Sequence, residues 1–190
     1  MLDGTEITAR SAWLADMLAR QTGEAVWVGE LINGEVHIVH QAVRPDNPVQ
    51  ILDADTALPW HACALGHAIV AGLDADAQDA LLARPAQRLT GLTVTDPGKL
   101  RQALEVLRHR GYAVEAHAAT LGEAGIAAAV FDSSGRAIGA IGIVGPVERL
   151  LTADRLEGLA EAVRRTARAL SQYAGRATEG GVRATYGVES

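Results

Sequence analysis

Gly125-Ile126-Ala127-Ala128-Ala129-Val130-Phe131, then Asp132-Ser133-Ser134-Gly135, then Arg136-Ala137-Ile138-Gly139-Ala140-Ile141-Gly142-Ile143-Val144, is the stretch that decides the fold class. Both flanking runs are apolar at nearly every position, as in strands covered on both faces. The four residues between them are turn formers, so the runs read as consecutive strands, and Gly145-Pro146 ends the second. Upstream, residues 25–31 and 35–41 flank Asn33-Gly34, a dipeptide that supplies the two positive φ angles of a type I′ turn and so predicts a β-hairpin. Residues 49–52 and 112–115 add two short strands, with a turn over 53–56. Helices fall outside these segments. Over 7–21, Trp13/Met17 and Leu14/Leu18 recur at i, i+4, Asp16 and Arg20 are set to pair on the wet side, and Gly23 stops the helix. Two more helices are predicted over 63–71 and 75–82. Asp96-Pro97 opens another, with a stripe of Leu100, Ala103, Leu104 and Leu107 and a stop at Gly111. Thr152 caps the last, whose stripe is Leu156, Leu159, Val163, Ala167 and Leu170. Helix, three strands, helices, three strands and helix, without βαβ alternation, predict an α+β fold: an antiparallel sheet of about six strands with helices packed on its faces.

Composition bounds the function. The 190 residues suit one domain, with 17 Lys+Arg against 23 Asp+Glu, a net charge of −6. An acidic chain without a basic stretch is a poor electrostatic partner for nucleic acid. Hydrophobic residues at 48% and charged ones at 21% suit a packed core. The single cysteine, Cys63, excludes an intramolecular disulfide and fits a reducing compartment. No apolar run approaches the ~20 residues of a membrane span and the opening residues lack a signal-peptide pattern, so a cytoplasmic location is expected.

Few residue patterns point to chemistry. Cys63 lies close to His61 and His67, a pairing that could activate a thiol, but no third orienting group is evident, and a small buried cysteine is the default. The histidines (His37, His40, His61, His67, His109 and His117) show no metal-binding spacing; His37 and His40 are expected on opposite faces of a strand, and His109 to complement a helix dipole. Gly139, Gly142 and Gly145 lie within and after a strand, which is not a nucleotide loop. Glu115 and Glu123 do not form a recognisable acid/base pair. The amides around Cys63 to Leu65, opening a helix, could hold a carboxylate. No enzyme activity, cofactor or metal is expected.

Five segments, in order, resemble the effector-binding domain of IclR-type bacterial transcription regulators: Thr22-Gly23-Glu24; Leu58-Pro59-Trp60-His61-Ala62 before an Ala-rich helix with Gly66; Asp96 to Gly111-Tyr112-Ala113; Gly125 to Asp132; and Ile141 to Pro146. The resemblance implies a GAF-like curved antiparallel sheet holding a small-molecule pocket over residues 1–175, a flexible tail over 176–190, and homodimers or tetramers. It implies DNA binding only through a winged helix-turn-helix that is not found in this chain. By motif position it places effector contacts at Ala64, Leu65, Glu115, Gly125, Gly142 and Val144, with Leu121 close by and Ile51 and Leu58 as an apolar wall. Relatives that bind small acids carry Ser or Cys where this chain has Gly125, Gly142 and Val144. The ligand expected is therefore larger or more apolar, an aromatic or branched carboxylate seated on the Ala64 and Leu65 amides. His67, where the family usually has Lys, is expected to be surface variation. Two other readings are a dimerisation module whose cavity is plugged by its own side chains, Trp60 among them, and a small cysteine hydrolase.

Overall fold

The computed structural model describes residues 4–44, 46 and 57–183, with side chains over 9–44, 46 and 57–175. The order of elements is α1 (Gly4–Thr22), β1 (Ala25–Ile32), β2 (Glu35–Ala42), β3 (Ala57–Pro59), a 3-10 turn (Trp60–Ala62), α2 (Ala64–Ala71), α3 (Ala75–Leu82), α4 (Pro97–Arg110), β4 (Ala113–Ala116), β5 (Glu123–Phe131), β6 (Ala137–Pro146), α5 (Val147–Leu150) and α6 (Leu156–Arg183). The expected strand over 49–52, the turn over 53–56 and Ile51 lie outside the described residues.

The six strands form one curled antiparallel sheet in the order β3-β2-β1-β6-β5-β4. The decisive apolar runs, β5 and β6, stand inside it, and both of their faces are covered. One face packs on α1 and α6 through Leu18, Val26, Ile126, Ile141, Ile143 and Val163. The other packs on α2, α3 and α4 through Val36, Leu65, Ile69, Leu81, Leu104 and Ala140. The chain is thus a three-layer α+β domain, as its pattern predicts. Asn33 (φ 55) and Gly34 (φ 89) make the left-handed turn between β1 and β2. Asp96 Oδ1 accepts the Lys99 amide at 2.8 Å, and Gly111 closes α4 at φ 81.

Several local expectations are corrected. On α1, Ala15, Leu18 and Ala19 are the buried residues, while Trp13 and Met17 are 53% and 47% exposed. Asp16 lies 3.6 Å from His40 rather than pairing with Arg20. On α4, Ala103 is exposed. His37 and His40 share a face. Val28 pairs with His40 and Gly29 with Ile38, so Val39 is an inserted bulge residue that reverses the alternation. Before it, Val36 and Ile38 point to α2; after it, His40 and Ala42 point to α1. The last helix starts at Leu156, although the Thr152 carbonyl accepts the Arg155 and Leu156 amides in a lead-in turn. It continues to Arg183, so much of the segment expected to fray is helical.

A buried ionic clamp joins distant segments. The Glu24 carboxylate, 2% exposed, accepts a hydrogen bond from Arg149 Nε at 2.8 Å and is ion-paired with Arg149 Nη2 at 2.8 Å and Arg155 Nη1 at 3.1 Å. A Cβ at Gly145 would stand 2.7 Å from Arg149 Nη2, so a side chain there would displace the guanidinium from its present place in the clamp. The Thr22-Gly23-Glu24 and Gly145-Pro146 motifs therefore meet at one structural site.

Candidate functional site

Strand register places small residues in the middle of the α2 face. Glu115 pairs with Gly125, Gly125 with Val144, and Val144 with Ala25. Two residues along, Ala127 pairs with Gly142, and Gly142 with Trp27. Where these rows cross β5 and β6, the sheet offers Gly125, Ala127, Gly142 and Val144, framed by Glu115 on one side and Trp27 on the other. The start of α2 lies over this floor, and a Cβ at Gly125 would come within 3.0 Å of Ala64 Cβ. The space left is a cavity of about 90 Å³ lined by Trp27, Leu58, Ala62, Cys63, Ala64, Leu65, Glu115, Ala119, Thr120, Glu123, Ala124, Gly125, Ala127, Gly142, Ile143 and Val144.

Seven of the nine residues expected at the site thus share one chamber: Leu58, Ala64, Leu65, Glu115, Gly125, Gly142 and Val144. Ile51 lies outside the described residues. Leu121 is not in the chamber and is 63% exposed. The β4–β5 loop explains why. His117 (φ 65) and Gly122 (φ 87) bend it, and the Gly122 amide donates to His117 Nδ1 at 2.9 Å. Thr90 Oγ1 donates to the His117 carbonyl and Thr93 Oγ1 to that of Ala118, each at 2.7 Å. So held, the loop lays Ala119 and Thr120 on the cavity and leaves Leu121 at its tip. Trp27 was missed from sequence. Period-2 alternation along β1, with Trp27 on the Leu31 side, could have indicated it.

The α2 end is built by a sharp turn. A Cβ on Gly66 would lie 2.2 Å from the Trp60 carbonyl oxygen, so glycine is needed for the 3-10 turn to fold back on the helix. Cys63 is the N-cap, and its Sγ accepts the Gly66 amide at 3.4 Å. Burial pushes this thiol up to about 12, so it is neither ionised nor nucleophilic at neutral pH. His67 is not surface variation. Its Nε2 donates to the His61 carbonyl at 3.0 Å, its ring meets Trp60 edge-on, and burial lowers it to about 4, leaving a neutral imidazole. Trp60 packs against these two histidines and does not enter the cavity.

Glu115 is the polar group of the chamber. Desolvation raises it to about 7, with the nearby Glu123 adding to the shift and the Ala118 amide, which donates to Oε1, opposing it. No Lys, Arg or His is among the described residues that line the cavity. Among the described residues, no three His, Cys, Asp or Glu gather as a metal site, and no helix is long and apolar enough to cross a membrane.

Residues 1–172 match the family described as bacterial transcriptional regulator IclR C-terminal. The chain belongs to the IclR family. It is 38% identical over 175 residues to the glycerol operon regulatory protein of Streptomyces coelicolor, covering 92% of this chain and 68% of that protein. It is also 38% identical over 149 residues to the Streptomyces griseus protein of the same name, covering 78% of this chain but only 58% of the relative's length. Among solved structures, a double mutant of the inducer-binding domain of PobR from Acinetobacter, in complex with 3-hydroxybenzoic acid, superposes with a TM-score of 0.76 at 25% identity, over 85% of this chain and 95% of that one. The IclR family and the curated relatives matched are transcriptional regulators, not enzymes.

Proposed function

We propose that this IclR C-terminal domain senses a compact metabolite in the chamber between α2 and the sheet, and passes the binding event to paired domains and to a separate DNA-binding part. The observation that carries this reading is the chamber itself. An unfilled space in an otherwise close-packed interior forgoes contacts that its lining would make, which a ligand restores. Its size sets the scale of the occupant. At about 90 Å³ it lies below the ~300 Å³ at which drug-sized pockets begin. Signalling requires that the ligand bind two arrangements of the oligomer with different affinity, since equal affinity shifts nothing. A cytoplasmic homo-oligomer is part of this proposal.

A second ligand class, an aromatic or branched acid, is favoured by the mostly apolar walls and by the hydroxybenzoate in the PobR complex. The plugged-cavity reading is disfavoured because Trp60 stands elsewhere, and the hydrolase reading because Cys63 is protonated and buried. Thermal melts of the purified chain against small polyols, hydroxy acids and hydroxybenzoates test the sensor reading. A saturable rise in Tm with at least one class is expected. No rise with any class, together with a crystal structure in which side chains fill the chamber, would reject it.

A further inference from the structure

Away from the chamber, the sheet leaves a stretch of strand edge open inside a groove. β4 is the edge strand, and its pairing with β5 stops at Ala113 and Ala127. β5 runs on to Phe131, paired there with β6. The His117 amide donates to the Glu123 carbonyl across the β4–β5 pair. By the alternation of an antiparallel ladder, the odd-numbered residues of β5 therefore turn their N–H and C=O towards the β4 side. At Phe131 that amide is met by Ser171 Oγ of α6, at 2.9 Å. At Ala129, which is half-buried, no loop or side chain among the described residues takes the place that β4 has left. Gly111, which the ladder would bring opposite, gives its amide to the Leu107 carbonyl to close α4.

The groove over this edge is cationic. It is an open cleft of about 600 Å³ between α2 and α4 on one side and α6 on the other, and Arg108, Arg164 and Arg168 line it, with no Asp or Glu among the described lining residues. Arg108 Nε donates to the Ala71 carbonyl at 2.9 Å, which fixes the guanidinium at the end of α2 without neutralising it. Arg164 stands over Gly111, where a Cβ would come within 3.5 Å of its Nε, and shares its charge with Glu161. Arg168 is exposed and has no acid partner among the described residues. On a chain of net charge −6, three guanidiniums around one cleft reverse the local field. Pairing with the same groove of a second copy would set like charges together. A nucleic-acid backbone would answer the charges but not the alternating donor and acceptor of a strand edge.

We propose that this groove takes an extended acidic peptide segment of another protein, added as a short strand on β5 beyond the end of β4. Its backbone accepts from the Ala129 N–H and donates to the Ala129 C=O, and its carboxylates pair with the arginines at the rim. Main-chain pairing supplies the affinity, and the arginines select for acidic sequence. The metabolite chamber takes no part in this binding.

The test uses the purified chain and the capped peptide EVTVE, with KVTVK and EVTVE N-methylated at every residue as controls. Titration calorimetry should show saturable binding of EVTVE, roughly tenfold weaker binding of KVTVK and none of the N-methylated form. Arg168→Glu, at an exposed position, should keep the Tm of the free protein and weaken EVTVE roughly tenfold. Hydrogen exchange on the unaltered protein gives an independent readout. The Ala129 amide should exchange roughly tenfold more slowly with EVTVE bound, while the Phe131 amide, already bonded to Ser171, should change little. An N-methylated peptide that binds as well as EVTVE, or complete displacement of EVTVE by millimolar inorganic phosphate, reduces the groove to an anion site and overturns the proposal. Tighter binding of a single-stranded oligothymidylate, full affinity in Arg168→Glu, unchanged exchange at Ala129 or no binding of EVTVE overturns it as well. Each of these results leaves the sensor reading standing.

Discussion

Glu115 and His67 carry opposite pH dependences. Glu115 is raised from 4.5 to about 7, so between these values the folded chain holds more protons than the unfolded one. Its contribution is full below about pH 4.5 and is lost as pH rises through 7. His67 is lowered from 6.5 to about 4, so the unfolded chain holds more protons in that window. Its contribution is present above pH 6.5 and is lost as pH falls through 4. Between pH 4.5 and 6.5 the slopes oppose each other, and the Tm of the wild type should be nearly flat. Glu115→Gln should tilt the profile so that Tm rises with pH, and His67→Gln should tilt it the other way. At pH 8, where Glu115 is ionised, Glu115→Gln should be more stable than wild type by about 2 kcal/mol, or about 6 °C. Calorimetric melts from pH 4 to 8 read both effects, and parallel profiles for all three proteins would contradict the assignment. Cys63 offers a simpler check. Iodoacetamide should label it only after denaturation, because the thiol is buried and protonated; rapid native labelling would revive the nucleophile reading.

Among the elements, β6 packs close on β5, and α2 on the 3-10 turn, at glycines whose replacement has a definite cost. At Gly142 a Cβ would stand 2.7 Å from Ala127 Cβ and 2.8 Å from the Ile126 carbonyl oxygen. Gly142→Ser should therefore push β5 and β6 apart, lowering stability by about 2 kcal/mol and abolishing ligand binding by intruding on the chamber floor. Gly66→Ala is more severe, since the added Cβ meets backbone of the 3-10 turn that no rotamer change can move; about 3 kcal/mol or outright failure to fold is expected. Urea unfolding of the two variants beside wild type measures the difference, and a Gly66→Ala protein as stable as wild type would refute the turn geometry. These elements also show which sequence signals were readable. The apolar runs of β5 and β6, the Asn33-Gly34 turn and the Asp96 and Gly111 boundaries of α4 follow from local chemistry. The bulge at Val39 does not, because it depends on how β2 meets β1, and it is what puts His37 and His40 on one face.

For the molecule as a whole, the Glu24 clamp ties the start of β1 to α5 and to the turn before α6. Glu24→Gln would leave Arg149 and Arg155 facing each other without their anion. Both are partly solvated, at 27% and 35% exposure, so the loss should be about 3 kcal/mol rather than complete unfolding. Chemical denaturation measures it, and a change below about 0.5 kcal/mol would show that the ion pair contributes nothing net.

The sequence by itself determined the fold class, the strand pairs joined by short turns and most of the chamber, because apolar patterning, turn residues and the ordered family motifs are local properties of the chain. Tertiary contacts alone leave Leu121 outside, hold His67 neutral against Trp60 and bring Trp27 into the lining of the chamber. Those outcomes depend on sheet register and on which helix covers which face, and both are set by contacts between residues far apart along the chain.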